Sequence, residues 1–300
     1  MLKKALLVGI NDYPGNRLKG CVNDVMQMKE VLTDLFEFES DNIRIILNQE
    51  ATKQGIIQGL KWLAEGGSEP AVRVFHYAGH GHSVPDKSGD ERDGSDEALV
   101  PYDYLSKRFL IDDELKSLYQ LFPSNSNLTL IMDCCHSGTI QRDPKRDRKF
   151  RFIPNTYPER EAIARARRKF KQAQRQYVLQ AVANLRGQRI TAEEFQHRVA
   201  EALMKYEKQP FGGDYQLREG NVLFAACQSD QQASDANIRG SYHGAFTYYL
   251  IKALRESNGR ITHHDLVKNV GEALKTYDYQ QVPQLECDPG REKAKIFSFF

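Results

Sequence analysis

The sequence predicts an α/β domain: a central, mainly parallel sheet of about six or more strands with helices on both faces, plus a helical insertion. Three observations carry this. Apolar runs rich in Val, Ile, Leu and Phe recur along the chain, amphipathic stretches alternate with them, and the alternation lapses between residues 139 and 220. Continuous apolar runs are what strands buried on both faces look like, and strand–helix alternation is how parallel strands are connected.

In chain order, Ala5–Ile10 is the first strand. Asn11, Asp12 and Pro14 break its apolar run too early for a signal-peptide core or a spanning helix. A helix over Val22–Phe36, a strand at Ile43–Leu47, a helix over Lys53–Ala64 and a strand at Val72–Tyr77 follow. Next come a helix over Asp112–Leu121 and a strand at Leu128–Met132. Basic residues crowd Arg142–Arg151, ahead of a long polar helix, Pro158–Leu185, and a second one, Thr191–Tyr206. Pro210, Gly212 and Gly213 return the chain to loop, and the strand pattern resumes at Val222–Ala226. Helices over Gly244–Glu256 and Thr262–Tyr277 and a strand at Ala294–Phe299 complete it. The expected organisation is a first portion at 1–141, a basic helical insertion at 142–220, and a portion at 221–300 that completes the same sheet.

Hydrophobic residues make up 40% of the 300 and charged ones 27%, an ordinary soluble composition, and a formal charge of +2 excludes a wholesale polyanion binder. No aromatic interleaving accompanies the basic stretch, so nucleic acid is not an expected partner, and neither is a membrane. The five cysteines, Cys21, Cys134, Cys135, Cys227 and Cys287, are odd in number and lack metal-ligand spacing. Free thiols in a reducing, cytoplasmic setting follow.

Two strands end in reactive side chains. Val72–Tyr77 runs into Ala78-Gly79-His80-Gly81-His82, and Leu128–Met132 into Asp133-Cys134-Cys135-His136-Ser137-Gly138. Sites in open α/β sheets form at the carboxyl ends of strands, and neighbouring strands would set these two ends side by side. A thiol, an imidazole to shuttle its proton and backbone donors for an oxyanion are the parts of a cysteine peptidase. Taken singly, a glycine-flanked histidine is as well read as a turn residue, and a strand-end cysteine as a small buried hydrophobe.

The two motifs, with Phe75-His76-Tyr77 before the first, resemble the histidine and nucleophile motifs of metacaspases. The stretches Ala5–Tyr13 and Leu18–Val25 resemble that family's opening strand and helix, and Ala226–Asp230 with Gly244–Thr247 its small-subunit portion. The resemblance implies a caspase-like sandwich and a cysteine endopeptidase cleaving after Arg or Lys in protein substrates. It assigns the nucleophile to Cys135 rather than Cys134, and the acid–base partner to His80 rather than the decoys His82 and His136. Gly81 and Cys135 N–H groups would be the oxyanion donors. Asp24 and Asp133 would be the acidic pocket residues, since carboxylates favour a guanidinium or ammonium and reject an acidic side chain. Ala78 departs from the family's usual Ser, which removes one pocket hydroxyl.

Asp86–Glu97 is dense in carboxylates and glycines and is not an EF-hand; by itself it reads as a solvated loop. The resemblance implies activating calcium, with Asp96, Asp112 and Asp113 as ligands. The remaining ligand position falls on Arg142, with Asp143 one place away. The basic connector after the nucleophile has three readings: a solvated segment, a self-processing site, or a docking surface for an acidic partner. A monomer is expected. The rival reading is a non-catalytic caspase-fold module acting through its helical insert.

Overall fold

The computed structural model describes residues 1–66, 70–87, 94–106, 109–124, 126–135, 148–183, 191–207, 220–228 and 231–298. In chain order these form β1 (Leu2–Gly9), α1 (Cys21–Phe36), β2 (Ile43–Leu47), α2 (Lys53–Ala64), β3 (Ala71–Ala78), β4 (Gly81–Pro85), β5 (Ser95–Leu99) and β6 (Leu110–Ile111). Then follow α3 (Asp112–Tyr119), β7 (Ser126–Asp133), β8 (Arg148–Phe150), α4 (Tyr157–Ala183) and α5 (Ala192–Glu207). The chain closes with β9 (Val222–Ala225), β10 (Ser234–Ile238), β11 (Ser241–Gly244), α6 (Ala245–Glu256), α7 (His263–Thr276) and β12 (Gln284–Cys287).

Two compact units result. The first comprises Met1–His82, Glu97–Pro154 and Leu217–Phe300. Its six-stranded sheet runs β12-β9-β7-β3-β1-β2, parallel except for β12, which lies antiparallel on β9. Every residue of the two central strands β3 and β7 is buried, as a sheet covered on both faces requires. Phe224, Phe246, Leu250 and Met28 sit in the core that α1, α6 and α7 form with the sheet. A second, three-stranded sheet orders β11-β10-β8, all antiparallel.

Caps fix the helices that matter for the site. Gly20 gives α1 no side-chain cap of its own. Asn11 Oδ1 instead accepts from the Cys21 and Val22 N–H groups at 2.9 and 3.4 Å. Asp235 accepts from Lys19 and Gly20 N–H at 2.8 and 3.0 Å. Two donors that the helix start leaves orphaned, Cys21 and Val22 N–H, and the two N–H groups just before them are thus met by side chains from outside the helix.

Of the expected strand Ala294–Phe299, the described residues 294–298 do not form a strand, and Phe299 lies outside the described residues. Phe297 has φ 53°, a left-handed conformation that no strand sustains, and the run instead clips onto the start of α7 through His263 N–H to Ala294 O at 2.9 Å and Ile296 N–H to Ile261 O at 3.1 Å. Its apolar side chains plug the core, with the Phe297 ring 4.8 Å from Phe36. The edge position belongs to β12, whose four residues are all only half-buried.

The second unit comprises Ser83–Asp96 and Asn155–Gln216. The helices α4 and α5 pack together, and Phe170 is the buried residue of α4. Gly94, at φ 80°, lies against the α4 backbone, where a Cβ would come within 2.5 Å of the Arg167 nitrogen.

Candidate active site

Parallel register brings the strand ends together. Gly9 of β1 pairs with Ala78 of β3, and Ala78 with Asp133 of β7. His80 and Cys135 therefore leave adjacent strands at the same edge. Their backbones touch at Gly81, where an added Cβ would collide with the Cys135 carbonyl. Only glycine permits that approach.

His80 is fully buried. Its Nε2 lies 2.8 Å from the Asn16 carbonyl oxygen, which can only accept, so Nε2 carries the proton and Nδ1 the lone pair. Nδ1 is buried without a hydrogen-bond partner. The Tyr13 hydroxyl accepts from the His80 backbone N–H at 3.0 Å, and its ring lies 4.7 Å from the imidazole. Burial pulls the imidazole pKa down to about 3, against the Asn16 carbonyl, with the charges of Lys149 and Arg151 adding to the fall. The ring is neutral at pH 7 and can accept a proton.

Cys135 is also fully buried. Its Sγ donates to the Ala233 carbonyl at 3.7 Å and accepts from the Ala233 N–H, so it is docked at the entry to β10 rather than bonded to His80. Cys227 stands beside it, its thiol pushed up first by the hydrogen bond to Cys135 and then by burial. Cys134 is buried too, and burial pushes its thiol up.

Asp24, in the first turn of α1, and Asp133, at the end of β7, are both inaccessible to solvent and both meet Arg151. Arg151 Nη2 lies 2.5 Å from Asp24 and 3.1 Å from Asp235, and Nη1 lies 3.1 Å from Asp133. Asp24 also accepts from Gly244 N–H at 2.9 Å and faces His243 Nδ1 at 3.2 Å. Asp133 accepts from the Thr247 hydroxyl at 2.6 Å, a hydroxyl supplied from α6 where Ala78 has none. Gly244 lacks a Cβ where one would strike Asp133 and Arg151.

Three carboxylates share one cation. At Asp133 burial outweighs the pull of Arg151, and the pKa rises to about 6. At Arg151 burial opposes the charge, but Asp133, Asp24 and Asp235 prevail and hold the guanidinium protonated more firmly than usual. Such a pocket demands a positive occupant.

The Arg151 backbone is as closely held as its side chain. Its carbonyl oxygen accepts from Gly81 N–H at 2.9 Å and from Cys135 N–H at 3.2 Å, and its N–H donates to Ala233 O at 3.0 Å. Upstream, β8 pairs with β10 through Ser234↔Phe150, Asp235↔Lys149 and Ala236↔Arg148. Downstream, Phe152 bridges to Gly81 and Ile153 N–H donates to Gly81 O at 3.0 Å.

The structure thus brings together His80, Gly81, Cys135, Asp24 and Asp133. His82 is turned elsewhere, its Nδ1 2.8 Å from Ile153 O and its ring 4.4 Å from Phe109, while His136 lies outside the described residues. Sequence reasoning missed Asp235, His243, Thr247 and the seat of Arg151. Thr247 alone carried a signal, in the Gly244–Thr247 motif.

Of the calcium candidates, Asp96 lies on β5, Asp112 and Asp113 open α3, and Asp143 falls outside the described residues. Among the described residues no group of three His, Cys, Asp or Glu is placed to hold a metal ion. The described acids alone do not fit one. No described helix is long and apolar enough to cross a membrane.

A family profile for the metacaspase peptidase C14 domain matches residues 3–144. Metacaspase-1B of Neurospora crassa is 30% identical, over 98% of this chain and 68% of its own length. Metacaspase-1A of Aspergillus terreus is 30% identical over 95% of this chain and 70% of its own. Among solved structures, a Geobacter sulfurreducens protein matches over the whole of both chains with a TM-score of 0.65 at 22% identity. Caspase-1 of Spodoptera frugiperda matches over 95% of this chain and 85% of its own with a TM-score of 0.50 at 11% identity, which bears on the fold alone.

Proposed function

The chain belongs to the metacaspase family of cysteine peptidases, and from that premise we propose that it hydrolyses peptide bonds after Arg or Lys through Cys135 and His80. One observation carries the proposal: two backbone N–H groups converge on a single carbonyl oxygen, beside a neutral imidazole and over carboxylates that hold a guanidinium.

The chemistry follows from the parts. Cys135 Sγ turns about its Cα–Cβ bond, away from Ala233, and gives its proton to His80 Nδ1 as it attacks the carbonyl carbon. Gly81 and Cys135 N–H groups stabilise the oxyanion; a single such donor is worth roughly a hundredfold or more in rate. His80 returns the proton to the leaving amine, and water then hydrolyses the thioester. The guanidinium offers two nitrogens to three carboxylates, whereas an ammonium is a single point. Arginyl substrates should therefore exceed lysyl ones in kcat/KM by roughly tenfold.

The experiment is affinity labelling with an arginyl chloromethyl ketone, read by peptide mass spectrometry. Label on Cys135 is expected, with arginyl-peptide hydrolysis lost in Cys135→Ala and His80→Ala. Label on another cysteine, or full turnover by Cys135→Ala, would end this reading. Calcium activation rests on the family resemblance at Asp96, Asp112, Asp113 and Asp143, and a chelator that leaves arginyl-peptide hydrolysis unchanged would remove it. All five cysteines are free, which supports a reducing, cytoplasmic setting.

A further inference from the structure

A cavity of about 450 Å³ lies where β8, the β10–β11 turn, α6 and the segment after α7 meet. We propose that it is a binding site for a small organic anion that carries a flat ring, the chemistry a mononucleotide represents. Its lining shares no residue with the Cys135 site, so its occupancy is independent of the peptidase reading.

Charge defines one end of the ligand. Arg148, Arg239 and Lys252 reach the cavity wall from three separate elements, and among the described residues no carboxylate lines it. Little compensates these charges. The Arg148 guanidinium donates to the Asp278 and Tyr277 carbonyls at 2.9 and 3.3 Å, which are dipoles and not ions. Lys252 has Glu256 at 3.6 Å, an exposed pair along α6 that solvent screens. Among the described residues Arg239 forms no ion pair. Like charges gathered around one hollow repel, and an anion among them removes that cost.

The backbone gives Arg239 a meaning of its own. With Gly240 it forms the two-residue turn between β10 and β11, at φ 54° and 90°, the positive values that a type I′ hairpin requires at both positions. Asn is the residue such a turn favours at its first position, and a long side chain there sits in sparsely allowed backbone space. Packing does not offset that strain, because Arg239 is exposed. A guanidinium held beside the cavity for an anion does.

The aromatic wall defines the other end. The Tyr249 and Tyr277 rings stack with centroids 5.3 Å apart and planes 19° from parallel, and Tyr248 meets Tyr249 edge-on at 5.1 Å. Tyr279 already carries the Arg148 guanidinium, 4.0 Å from its ring centroid. Burial pushes the Tyr249 hydroxyl up, with Tyr279, Tyr277 and Tyr248 in the same direction and Arg239 opposing, so it stays protonated and can donate to an anion. A bare inorganic anion would leave the rings unused, and a neutral ring would leave the charges unmet. The volume lies within the roughly 300–1,000 Å³ of small-molecule pockets. A ligand bound there ties β8 to the β10–β11 hairpin and α6.

Calorimetric titration of the full chain with AMP, inorganic phosphate and adenosine tests the site. AMP is expected to bind at one site, roughly tenfold or more tighter than either of the others, and to raise the melting temperature. Arg239→Asn supplies the residue the turn favours, so it should keep or raise the melting temperature of the unliganded chain while weakening AMP roughly tenfold. Lys252→Gln should weaken AMP by a similar factor. Phosphate binding as tightly as AMP would overturn the part given to the rings, and adenosine doing so would overturn the part given to the charges. AMP affinity unchanged in both variants, or no binding of any probe, would overturn the site. A hexaglutamate peptide that binds tighter than AMP would overturn the small ligand in favour of an acidic chain.

Discussion

Asp24, Asp133 and Asp235 face one guanidinium from α1, β7 and β10, and they do not do so equally. Asp235 also caps the approach to α1, and an amide in its place keeps one acceptor oxygen for that task. Asp235→Asn should therefore leave the fold intact and lower kcat/KM for arginyl peptides by roughly tenfold, mostly through KM, in steady-state kinetics. Gly81 is constrained from two directions, as an N–H donor and as the point where two strand ends touch. Gly81→Ala should lower kcat by roughly a hundredfold or more, with circular dichroism reporting whether the sheet survives. Wild-type turnover in that variant would contradict the close approach described for Gly81.

At the scale of elements, β3 and β7 carry the site because their register sets Ala78 opposite Asp133, and this much was legible from two apolar runs each followed by a reactive motif. The remainder was not legible, for physical reasons. β12 is a half-buried edge strand with no continuous apolar run to announce it, and the apolar run that mimicked a strand is, over its described residues 294–298, a core plug bent at Phe297. Asp235 lies on β10, a short strand without a clear alternation, and its role depends on Arg151, 84 residues away. Arg151 itself was visible only as one basic residue among several, since its seat is made by elements that meet on folding. The Asn11 cap on α1 gives a test at this scale. Asn11→Ala should cost about 1 kcal/mol of unfolding free energy in a urea titration and raise KM for arginyl peptides, because Asp24 rides in the turn it caps.

Across the whole molecule, buried ionisable groups couple stability to pH. Burial lowers His76 to about 4 and His80 to about 3, so the folded chain binds fewer protons there than the unfolded one below pH 6.5. Their contribution is present above pH 6.5 and is lost on acidification toward those values. Asp133, raised to about 6, acts oppositely: its contribution is full below pH 3.8 and is lost as pH rises through 6. Three histidines, since burial lowers His263 as well, against one carboxyl leave the unfolded chain with the excess of protons between about pH 4 and 6. Unfolding free energy, and melting temperature with it, should therefore fall as pH drops from 6.5 to 4, at no more than about 2.7 kcal/mol per pH unit for two net protons. His76→Asn should shrink that dependence in a pH series of thermal melts, and an unchanged slope would contradict the assignment.

The central claim concerns charge selection at a thiol nucleophile, and a panel of fluorogenic peptides differing only in the residue before the scissile bond tests it most directly. With the wild-type protein, hydrolysis should be fastest after Arg, slower after Lys, absent after Asp and Gln, and absent throughout for Cys135→Ala. Turnover after Asp, or an Arg signal that survives the loss of Cys135, would contradict the account.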